Sequence, residues 1–127
     1  MAAVVVLAGL TVGCGGSGSP VKPIFSDGVE AIRQTRDFEA LRAKLRRTIA
    51  RLRATEDGEA RRVALRGFES TLRGVQSRID FHENDRGNIA AATRDARLAN
   101  ARLSAGARLL RKAGLLLDVR VGTLDGY

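Results

Sequence analysis

Few side chains in this 127-residue chain are equipped for covalent or metal chemistry. It holds one cysteine, Cys14, and one histidine, His82. A single thiol rules out a disulfide within the chain. His82 lies in Asp80-Phe81-His82-Glu83-Asn84-Asp85, where a metal would need three converging ligands. Asp80 and His82, two apart on a helix, face different ways, which leaves Asp85 alone within reach. His82 also continues an apolar seam, so its expected place is the boundary of the core. No serine sits in a nucleophile elbow. The run Gly13-Cys14-Gly15-Gly16-Ser17-Gly18 lacks the Gly-Lys-Ser/Thr ending of a phosphate loop. The residues therefore predict no catalytic site, no metal and no cofactor.

Cys14 closes an uncharged apolar run from Ala2 to Val12. About 20 apolar residues are needed to cross a bilayer, and this run is too short. It fits the 7–15-residue apolar region of a secretory signal. Within it, Leu10-Thr11-Val12-Gly13-Cys14 resembles the lipobox of bacterial lipoproteins. The resemblance implies cleavage between Gly13 and Cys14, removal of residues 1–13, and a diacylglyceryl group on the Cys14 thiol. It further implies a membrane-lipid partner and a place on the extracytoplasmic side of the cell membrane. Residues 14–24 then read as the lipidated cysteine and a linker. Gly15–Ser19 are flexible, and Pro20 and Pro23 oppose helix formation. Such a tether spans about 15 Å.

Lys and Arg number 22 against 14 Asp and Glu, a net charge of +8. That balance attracts polyanions such as nucleic acid, anionic headgroups or acidic wall polymers. Arg42, Lys44, Arg46, Arg47, Arg51 and Arg53 crowd the polar side of one predicted helix, and Arg61 and Arg62 open the next. These eight are the candidate anionic-surface site. Against nucleic acid stand interspersed acids (Glu39, Asp57, Glu59, Glu69), scarce stacking aromatics and no helix-turn-helix spacing. The expectation is a small membrane-anchored envelope lipoprotein serving as a non-enzymatic helical binding or scaffold module. Its basic faces would lie close to anionic lipid or wall polymer. The alternative is a cytosolic basic helical protein that binds nucleic acid or a partner helix.

Elements must position these groups, and the periodicity predicts an all-α chain: an antiparallel three-helix bundle with helices about 27–54, 59–83 and 88–121. Asp27 and Glu30 resemble a capping box. Phe38, Leu41, Leu45, Ile49 and Leu52 form one stripe, while Val29 and Ile32 lie off it, so the first turns are expected either to pack separately or to bend near Thr35. Leu65, Phe68, Leu72, Val75, Ile79 and His82 alternate by 3 and 4, a seam suited to packing. Gly67 and Gly74 sit off that seam, and packing must offset their helix cost. The third helix has an Ala-rich stripe (Ile89, Ala92, Ala96, Ala99, Leu103, Leu110, Ala113, Leu117) with Asn88 or Asp85 as N-cap and Gly122 after its end. A second set, Ala91, Leu98, Ala105, Leu109 and Leu116, lies opposite. It makes this helix either central or able to pair with an envelope protein or a second copy. Residues 25–122 form the predicted domain, and 123–127 a fraying tail.

Overall fold

A computed structural model describes residues 20–84 and 87–124. Its helices are α1 (Val21–Gln34), α2 (Phe38–Arg53), α3 (Glu59–Asn84) and α4 (Ile89–Leu117), with no strand among the described residues. Helices are the only regular secondary structure among the described residues. The signal segment, Gly13 and Cys14 lie outside the described residues.

Among the described residues, four helices replace the expected three. The stripe of α1, Val21, Ile24, Phe25, Gly28, Val29 and Ile32, is out of phase with that of α2. One straight helix could not turn both toward one core. The chain therefore breaks at Thr35 and Asp37, which are both extended. The Asp37 carboxylate accepts from the Ala40 N–H at 3.1 Å and caps α2. The chain then reverses: Arg51 meets Asp27 at 3.6 Å and Lys44 meets Thr35 at 3.0 Å.

The expected linker also ends earlier than residue 24. Pro20 is the N-cap of α1 and Pro23 lies in its first turn. Backbone N–H groups of a first turn have no partner within the helix, so a missing one costs little there. Val21 and Ile24 consequently start the core. The Asp27–Glu30 capping box does not form, because both residues fall inside α1.

α3 is the element that the others share. Phe68, Val75 and Ile79 bury toward α1 and α2, with Phe68 edge-to-face on Phe25 at 5.7 Å. Its opposite side is lined with small residues. A methyl group on Gly67 would lie 2.8 Å from Leu110, and one on Gly74 2.7 Å from Leu103. Rising numbers on α3 thus meet falling numbers on α4. Ser70 donates to the Arg102 carbonyl at 2.8 Å, and Arg78 to Asn100 at 2.6 Å, along the same seam.

α4 starts as expected, with the Asn88 side chain accepting from the Ala91 N–H at 3.0 Å. It stops four residues early. Asp118 adopts the left-handed conformation (φ 56°), and the Val119 N–H donates to the Gly114 carbonyl at 2.8 Å. Asp tolerates this region because its short polar side chain bonds locally. Gly122, expected as the stop, has φ 71° farther along. The segment beyond α4 is not a frayed end at residues 123–124. Val121 packs on Gly114, Gly122 lies beside Arg33, and Leu124 is buried at 7% exposure.

Candidate anionic-surface site

Six of the eight expected cations are engaged within the chain. Arg42 donates to Gln76 at 2.9 Å from a half-buried position, and Lys44 donates to Thr35. Arg51 pairs with Asp27, and Arg53 with Glu69 at 2.6 Å. Arg61 reaches back to the end of α2, donating to the carbonyls of Leu52 at 2.8 Å and Arg53 at 3.0 Å. A guanidinium there satisfies carbonyls left open at the helix C-terminus and opposes its negative dipole end. Arg61 and Arg62 both bind Asp57, at 3.1 and 3.0 Å.

Desolvation raises the Asp57 pKa, but the Arg62 charge, the Gly58 N–H, the Arg62 hydrogen bond and the Arg61 charge outweigh it. The carboxyl is held below the ordinary aspartate value. Arg61 is therefore a loop-and-cap residue before it is a surface charge.

Arg46 and Arg47 remain exposed without an ion pair or hydrogen bond among the described residues. Arg46 borders a groove of about 440 Å³ between α2 and α3, with Ile49, Arg53, Glu69, Leu72 and Arg73. Glu69 in that groove accepts from Arg53, which dilutes its positive character.

His82 is exposed rather than at the core boundary. Its ring stacks on Phe38 at 5.8 Å and meets Phe81 edge-on at 5.4 Å. The seam ends a turn earlier, at Ile79, because α2 offers only the half-buried Phe38 at that level. Among the described residues no three His, Cys, Asp or Glu side chains are placed to hold a metal.

The α2-centred reading missed the outer side of α4. From Ile89 to Leu117 the chain carries Arg94, Arg97, Arg102, Arg108, Arg111 and Lys112 against one acid, Asp95. Arg102 donates to Ser77 at 2.9 Å. The other five make no ion pair or hydrogen bond among the described residues. Leu98, Leu115 and Leu116 share their face, at 38%, 85% and 44% exposure. The signal was present as a charge imbalance along one helix, which the apolar periodicity of the same stretch obscured.

No family model, no curated protein and no solved structure matches the chain. Among the described residues, no helix is long and apolar enough to cross a membrane.

Proposed function

We propose that the protein is a small lipid-anchored envelope protein, a non-enzymatic helical binding or scaffold module held at the cell membrane through acylated Cys14. The observation that carries this reading is Leu10-Thr11-Val12-Gly13-Cys14: the one cysteine closes the long N-terminal apolar run. The rest of the chain supports it. Six residues after Cys14 begins an all-helical body whose cations outnumber its acids. In this reading the helices pack as an antiparallel bundle, with basic faces close to anionic lipid or wall polymer. An envelope protein or a second copy is the remaining partner class, through helix 88–121. The two chains of a diacylglyceryl group anchor stably, and a basic surface adds an electrostatic attachment to anionic lipid.

The test is intact mass and fractionation after expression in a bacterial host. A membrane-bound species that begins at Cys14 and carries diacylglycerol is expected, and Cys14→Ala should release the protein from that fraction. An unprocessed cytosolic chain starting at Met1 would overturn the reading and put nucleic-acid binding first.

A further inference from the structure

We infer that the C-terminal half of the outer face of α4 docks on an anionic bilayer, with Leu115 and Leu116 among the headgroups and Arg108, Arg111 and Lys112 on lipid phosphates. The inference rests on the lipid-anchored reading and names the face that meets the membrane.

Three observations converge on this end of the body. Leu115 and Leu116 are adjacent large apolar side chains left in solvent. Arg111 and Lys112 lie one turn before them, and helical residues three or four apart are neighbours. Neither these two nor Arg108 has an ion-pair or hydrogen-bond partner among the described residues, unlike most cations of α2. The nearest acid in sequence is Asp118, at the helix cap.

The third observation is where the tether enters. Phe25 packs on Phe68, and Gly28 lies against Phe68 and Thr48. Leu110 packs on Gly67, one residue from Phe68, and Lys112 shares a groove with Glu59, Arg62, Val63, Arg66 and Glu69. Val21, about a turn before Phe25, therefore lies at the same end as Leu115 and Leu116. Cys14 is six residues before Pro20, so any path keeps the two within roughly 20 Å. An acyl group on Cys14 brings this end to the bilayer first.

Charge and hydropathy together choose the occupant. A second copy seated here would press cations against cations. A soluble polyanion satisfies the cations and offers nothing to the leucines. An anionic bilayer serves both, as it does for a basic amphipathic helix. The Debye length of about 8 Å restricts the effect to charges near the surface, so Arg94 and Arg97 at the far end of α4 contribute little.

The chain contains no tryptophan, so one introduced indole reports its own surroundings. Leu116→Trp is compared with Ala50→Trp, an exposed position on α2, in the full chain. The vesicles are equimolar phosphatidylglycerol and phosphatidylcholine, or phosphatidylcholine alone. Emission of L116W should move to shorter wavelength on anionic vesicles, and less on neutral ones, while A50W stays put. Replacing Arg108, Arg111 and Lys112 by Gln should weaken anionic-vesicle binding on the order of 100-fold, roughly fivefold per cation.

The docking face is overturned if A50W shifts as far as L116W, or if L116W does not move on vesicles that carry the protein down. It is equally overturned if L116W shifts with rising protein concentration alone, or with DNA in place of lipid. Acylation is read separately by mass. Acylated Cys14 with an unmoved L116W removes the docking face and leaves the anchor. Unmodified Cys14 with a shifted L116W removes the anchor and leaves the face.

Discussion

Gly106 lies at a close approach of α3 and α4. A methyl group there would lie 3.0 Å from the Gly67 carbonyl oxygen and 3.0 Å from the Thr71 nitrogen, with the Thr71 hydroxyl nearer still. Backbone atoms cannot swing aside as the end of a long side chain can. Gly106→Ala should therefore destabilise the fold by about 1–3 kcal/mol, although alanine is the better helix former. Gly87→Ala meets open space and should stay within about 0.5 kcal/mol. Urea denaturation midpoints decide this, and equal midpoints for the two variants would remove the close-approach account. Gly67 and Gly74 were legible in the sequence as a helix cost needing compensation. Gly106 was not, because a glycine inside an apolar stripe gives no sign of the surface it meets.

Helix boundaries follow from a few local groups. The Asn88 side-chain oxygen satisfies an N–H that the first turn of α4 would leave open. Asn88→Ala should cost about 1 kcal/mol, seen as a lower urea midpoint with unchanged slope. A midpoint equal to that of the unaltered chain would mean water replaces the cap fully. Sequence periodicity located α3 and the start of α4 well, since strong stripes lie between turn residues. It merged α1 with α2 because Asp37, the group that starts α2, sits where a solvent-facing helical residue would also be polar. It overran α4 because Val119 and Val121 continue the apolar pattern after the helix has stopped at Leu117. Val121 and Leu124 fill the core from beyond the helix end instead.

For the whole molecule, the all-helical class was legible in a core built from Leu, Ala, Val and Ile. Which helix lies between the others was not. Apolar faces can be counted along a sequence, but which face meets which depends on closeness of approach. The small side of α3 looks polar and weakened by glycine in sequence, yet it is the surface that α4 occupies. The same limit hid the tail, whose burial depends on a partner surface on another part of the chain. Leu124 is 7% exposed and belongs to the core cluster. Leu124→Ala should lower stability by about 2–5 kcal/mol, measured by thermal or urea unfolding. A loss within about 0.5 kcal/mol, the range of ordinary surface changes, would mean the tail does not help to hold the body together.

The crossing of the tail from Gly114 to Arg33 also sets an order in time. Synthesis makes α1 first and Val121, Gly122 and Leu124 only after α4 is complete. The contact between Gly122 and Arg33 joins residues far apart in sequence, so it closes a long loop, whereas α3 and α4 meet across a short connection. Until residue 124 has been added, the core positions of the tail stand open and the body has a seam. Residues 121–124, made after all four helices, are the ones that shut it.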